Sequence, residues 1–169
     1  MARQFLPLVL LTVLLVPVLA ESGQAPPQRQ SPTAQSERVR QAVSHFERAF
    51  YELTPQKRDR EAAQEFDRAI AQFELELKSQ PSSAVAHGYL GRIYALRGDH
   101  RKSALHYDRV SEIEPLNVDA CVLAALGYAE LGEVAEARLR LAEARLRTSD
   151  PVALAKIAGY VAKLDKLDR

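Results

Sequence analysis

A 34-residue period constrains this chain more tightly than any single residue does. The stretch Ala84 to Asn117, AVAHGYLGRIYALRGDHRKSALHYDRVSEIEPLN, reads as two short helices hinged at Arg97-Gly98-Asp99, and the same layout returns over 118–150. Tyr94 and Tyr128, Ala95 and Ala129, Gly98 and Gly132, and Leu105 and Leu139 are identical between the two copies. A fixed period of this size marks stacked helical hairpins, each burying its apolar face against its neighbours, so the chain needs no single round core.

Within the first copy the pattern is Leu90-Gly91-x-x-Tyr94, Gly98, a small residue at Ser103, Tyr107 and Pro115. The second supplies Ala124-Ala125-x-x-Tyr128, Gly132, Ala137, Leu141 and Ala144. This order resembles the tetratricopeptide repeat. Two features depart from it: His87 and Cys121 stand where the family's unit opens on a large aromatic, and the closing proline of the second copy slips to Pro151. The resemblance covers Ala84 to Asp150 and implies an all-α solenoid of helical hairpins, with about three repeats and a C-terminal capping helix.

The flanks extend this array. Over 37–81 a degenerate repeat is predicted. Val39, Val43, Phe46, Phe50 and Leu53 recur at steps of four and three, Thr54-Pro55 stops the helix, and Phe66, Ala69, Ile70, Phe73 and Leu77 stripe a second one over 58–78. Ala69, Phe73 and Pro81 each stand 34 residues before Ser103, Tyr107 and Pro115, whereas the register of the first helix stays open. Asp150-Pro151 starts the capping helix over 151–167, whose apolar stripe is Val152, Leu154, Ala155, Ile157, Ala158, Val161 and Leu164. The helical domain thus spans 37–167.

Residues 1–20 read as a secretory signal peptide. One charge, Arg3, precedes the apolar run Phe5 to Leu19, and small residues end it at Ala20, where cleavage is expected. The run is shorter than the roughly 20 apolar residues that span a bilayer, so a retained anchor is the alternative and the only expected membrane contact. Export places the mature chain in the periplasm or outside the cell. Residues 21–36, with three prolines, four glutamines and no large apolar side chain, are expected to be a disordered linker.

The composition excludes several chemistries. Net charge is +1, and losing Arg3 with the signal leaves acidic and basic side chains in balance, which is no footprint for nucleic acid. A lone cysteine, Cys121, excludes an internal disulfide and is expected to be buried and inert. No phosphate-binding glycine loop, nucleophile elbow or zinc-protease motif occurs, and His45, His87, His100 and His106 show no metal-ligand spacing. His87 is expected to be a core or half-buried imidazole, with His100 and His106 in solvent. No enzyme activity, cofactor or metal is expected.

What remains is binding. Val118 to Leu131 is apolar all round and must be covered on several faces. By resemblance, the first helices of the units line a concave groove, to which Val122, Leu126 and Ala129 would contribute beside Arg92, Ala95 and Leu96. An apolar groove with one guanidinium suits an amphipathic helix or extended peptide of another protein. A family version that grips a C-terminal carboxylate uses Lys and Asn, but the matching positions here carry Gly88, Arg92 and Leu123, which argues against that ligand. The partner is therefore expected to be a protein segment held by an exported scaffold, within a bacterial envelope assembly or a eukaryotic secretory route. A homodimer that buries the apolar helix is the structural alternative. Gly88 and Gly91 are expected to admit a neighbouring helix, and Glu136–Arg140 and Glu143–Arg147 to pair along the helix surface.

Overall fold

Four helices, those beginning at Ala84, His100, Val118 and Pro151, start where a short polar side chain holds a free first-turn N–H. Ser83 accepts from the Ala86 amide at 3.3 Å, Asp99 from Lys102 at 3.2 Å, Asn117 from Ala120 at 3.1 Å and Asp150 from Ala153 at 2.9 Å. Each such cap stabilises its helix by about 1 kcal/mol. At the opposite ends, Gly98 and Gly132 adopt φ of 74° and 73°, the left-handed conformation that lets a helix stop and the chain reverse.

The computed structural model describes residues 32–167. Helix α1 (Pro32–Glu47) runs into a π-helical segment (Arg48–Leu53), followed by α2 (Asp59–Ser79), α3 (Ala84–Leu96), α4 (His100–Ile113), α5 (Val118–Glu130), α6 (Val134–Leu146) and α7 (Pro151–Leu167). The pairs α1/α2, α3/α4 and α5/α6 form hairpins, successive hairpins stack, and α7 packs on α6. The expected signal segment, residues 21–31 of the expected linker, and Asp168 and Arg169 lie outside the described residues. The last five residues of that linker stretch belong to α1.

The core repeats with the sequence. Ala69, Ser103 and Ala137 are buried on the second helices, as are Phe73, Tyr107 and Leu141 four positions on. Opposite them, Leu90, Ile93 and Tyr94 of α3 and Ala124, Ala125 and Tyr128 of α5 complete the packing. A Cβ at Gly91 would meet the Tyr107 ring at 3.0 Å, whereas one at Gly88 would meet nothing within 4 Å. The close approach expected at both glycines therefore rests on Gly91 alone.

The first hairpin departs from the period because of its π segment. The Thr54 amide reaches back five residues to the Ala49 carbonyl at 3.0 Å, and its hydroxyl donates to the same oxygen at 2.8 Å. A π turn inserts a residue relative to an α turn. The buried line along this stretch is Ala42, Phe46, Ala49 and Leu53, with Val39, Val43 and Phe50 only partly covered. Two buried carboxylates fasten the hairpin: Glu65 takes His45 at 2.6 Å and Arg68 at 2.8 Å, and Glu76 lies 3.7 Å from Arg38.

Polar latches join one unit to the next. The Tyr128 hydroxyl donates to Asp108 at 2.7 Å and Arg140 Nε to the same carboxylate at 2.6 Å, while one repeat earlier Tyr94 reaches Glu74 at 3.4 Å. Arg147 donates to the Ser111 carbonyl and to Cys121 Sγ, both at 3.1 Å. The expected Glu136–Arg140 and Glu143–Arg147 pairs thus give way to contacts with the preceding helices. A surface pair one turn apart is worth only a few tenths of a kcal/mol, and a half-buried carboxylate offers more.

The contrast between the two glycines sets opposite outcomes. In thermal denaturation Gly88→Ala should raise stability by up to about 1 kcal/mol by removing a helix-interior glycine, whereas Gly91→Val should lower it by driving Tyr107 from its seat.

Candidate functional site

A cleft of about 790 Å³ opens between α3 and α5. Along α3 its wall is Val85, Gly88, Tyr89, Arg92, Ala95 and Leu96; Tyr107 and Val110 of α4 lie beneath, and Glu114, Asn117, Asp119, Ala120 and Leu123 close the other side. Helical spacing explains the wall, since steps of three and four from Val85 to Leu96 keep these residues on one face. Three large apolar side chains remain open to solvent here: Val85 (51% exposed), Leu96 (49%) and Leu123 (38%). Such clustering of uncovered apolar surface, rather than any single exposed leucine, marks a binding surface.

Arg92 is held by aromatic rings. Its guanidinium carbon lies 4.8 Å from the Phe50 ring centroid and 5.2 Å from that of Phe46. Tyr89 wedges between Phe46 and Phe73, 5.1 Å from each ring. Among the described residues no carboxylate pairs with Arg92. A guanidinium seated on aromatic faces keeps its in-plane N–H groups available to an incoming acceptor. Burial raises the Tyr89 hydroxyl above the usual tyrosine range, with the Glu47 carboxylate adding to the effect.

The six residues expected from sequence divide between two places. Arg92, Ala95 and Leu96 line the cleft. Val122 is buried at 3% exposure, in the cluster that Ile157 and Leu164 of α7 complete, and so presents no surface to a ligand. Leu126 and Ala129 line a separate hollow of about 430 Å³ with Tyr160 and Leu164. The division follows the neighbours that different positions of α5 meet: Ala120 and Leu123 line the cleft with α3, whereas Leu126 and Ala129 line a hollow with Tyr160 and Leu164 of α7. Leu123 is the large apolar side chain that reaches the cleft from α5, beside Asp119 and Ala120, and sequence reasoning missed it as an apolar anchor because the all-apolar helix has no distinct stripe. Among the described residues no group of His, Cys, Asp and Glu could hold a metal ion, and no helix is long and apolar enough to cross a membrane.

No family model matches the sequence, and no curated protein matches it. Solved structures do share its architecture. The first TPR of Spaghetti (RPAP3), bound to the HSP90 peptide SRMEEVD, is similar with a TM-score of 0.55 at 11% identity, over 76% of this chain and 94% of that one. The N-terminal domain of stress-induced protein-1 from C. elegans gives a TM-score of 0.54 at 12% identity, over 76% and 97%. The C-terminal TPR-containing domain of a Plasmodium falciparum FK506-binding protein gives 0.51 at 20% identity, over 79% and 95%. The chain therefore has the fold of a tetratricopeptide-repeat solenoid, with three hairpins and the closing helix α7 among the described residues.

Behind the cleft a pair of imidazoles pins α3 to α4. His87 Nε2 lies 3.0 Å from the Pro81 carbonyl and its Nδ1 lies 2.9 Å from His106 Nδ1. The carbonyl can only accept, so His87 carries its proton on Nε2, and its Nδ1 accepts a hydrogen bond from His106 Nδ1–H. His106, expected in solvent, instead stacks on Tyr94 at 5.6 Å, and burial with His87 beside it pushes its pKa down to about 4. Burial likewise lowers His87, with Arg109 and Glu112 pulling in opposite directions. Because the folded values lie below the unfolded ones, the unfolded chain binds more protons, and stability is lost as pH falls from about 6.5 towards 4. Melting temperature measured against pH should show this decline, and His87→Phe with His106→Leu should flatten it.

Proposed function

We propose that this chain is an exported, non-enzymatic scaffold that holds a segment of another protein in the cleft between α3 and α5. The observation that carries the reading is the cleft itself, where Val85, Leu96 and Leu123 stand uncovered around an aromatic-mounted Arg92. A protein of the same fold, the first TPR of Spaghetti, is bound to a peptide. The apolar run Phe5 to Leu19 supports export, with service in a bacterial envelope assembly as the setting. Detection of Glu21 as the first residue of the mature chain by mass spectrometry supports cleavage; an intact N-terminus supports a membrane-tethered scaffold in its place.

A second reading is self-association. Leu154, Ala155, Ala158, Val161 and Ala162 of α7 line an open hollow of about 590 Å³ beside Arg145, an apolar face that a second copy could cover. Light scattering over a concentration series tests it, and a strict monomer at high concentration eliminates it.

The binding reading is tested in the native cell by a photo-crosslinking side chain. Placed at Leu96 or Leu123 it should give a discrete adduct with a partner, and placed at Leu139, which is 54% exposed on α6, it should give none. Leu96→Asp together with Leu123→Asp should abolish capture through a probe at Val85 without loss of helix content, because both side chains are already exposed. Equal adducts from Leu139, or capture untouched by the two aspartates, would contradict the assignment.

A further inference from the structure

The charges around the cleft narrow its ligand, on the footing that the cleft binds peptide. Its lining carries two carboxylates, Glu114 and Asp119, against one guanidinium, Arg92. The two acids sit on either side of Asn117, at the corner where α5 begins. Asn117 Nδ2 donates to Glu114 at 2.9 Å, and among the described residues no cation pairs with this carboxylate. Asp119 meets Lys156 of α7 at 3.4 Å, but the side chains are 77% and 53% exposed, so the pair is screened and exchangeable. On the far wall the Arg92 guanidinium sits over the Phe46 and Phe50 rings, and Glu47 opposes its effect at Tyr89.

We infer that the cleft selects an apolar segment bearing lysine or arginine beside its anchors, and disfavours an acidic tail. Leucine-sized side chains cover Val85, Leu96 and Leu123, while a flanking cation reaches Glu114 and Asp119 at the α5 corner. An acidic segment such as SRMEEVD would set its carboxylates against Glu114 and Asp119 with one cation to receive them. Like charges across an interface exclude wrong partners, and opposite ones speed the right encounter.

Selection from a phage-displayed library of random dodecapeptides tests this without knowledge of the natural partner. Peptides enriched on the wild-type chain, and lost on the Leu96→Asp, Leu123→Asp variant, should show a ratio of basic to acidic residues about threefold above the input library. The bias should disappear on Glu114→Gln with Asp119→Asn, two exposed neutralisations whose helix content and melting temperature are checked in parallel. Cleft-dependent peptides with no charge bias, or with an acidic one, overturn the inference and leave the binding role standing. Persistence of the basic bias on the neutralised variant overturns the assignment to Glu114 and Asp119. If no enrichment depends on Leu96 and Leu123, the binding role fails as well.

Discussion

Everything in this molecule hangs on one repeated piece of packing: a small residue followed four positions later by a large one on the second helix of each hairpin. Ala69 and Phe73, Ser103 and Tyr107, and Ala137 and Leu141 are all buried, and each pair lets a first helix approach closely enough to seal the hairpin. Gly91 shows how tight that seal is, because a single methyl group there would press on the Tyr107 ring at 3.0 Å. The same contact that closes a hairpin fixes where the next one begins. Polar latches then hold the stack in register, most fully where Tyr128 and Arg140 share Asp108.

The cleft is a consequence of this stacking. Once the inner faces of α3 and α5 are spent on packing, what remains of α3 towards the hollow is Val85, Gly88, Arg92, Ala95 and Leu96, and α5 adds Leu123. Clustered apolar surface of this kind is what the proposed binding role rests on. The first hairpin contributes from behind: Phe46 and Phe50 seat Arg92, and Tyr89 wedges between Phe46 and Phe73. On the opposite side of α3 the neutral His87–His106 contact holds the wall against α4. The cleft is therefore built on the helices of two hairpins rather than on a loop.

Much of the architecture was legible in the sequence because the 34-residue identity and the capping residues act locally. Asp99 and Asp150 start helices where their side chains can reach an amide, and Gly98 and Gly132 stop them where a left-handed residue fits. The π segment after Glu47 was not legible, since the apolar spacing there fits an α-helix nearly as well and Thr54 closes the turn only in three dimensions. The site was half legible. Arg92, Ala95 and Leu96 lie on one face of α3, but α5 is apolar all round, and only its packing in three dimensions decides that Leu123 faces the cleft while Val122 is sealed in the core. Arg140 and Arg147 were misassigned for a related reason: the contacts they make span 32 and 36 residues, and helical spacing cannot see that far.

Hydrogen–deuterium exchange on the full chain, with and without a segment captured through Leu96, asks most directly whether this cleft is the binding surface. The account requires added protection along 85–96 and 117–123, with 152–162 unchanged. Protection confined to α7, or spread evenly over all the helices, would contradict it.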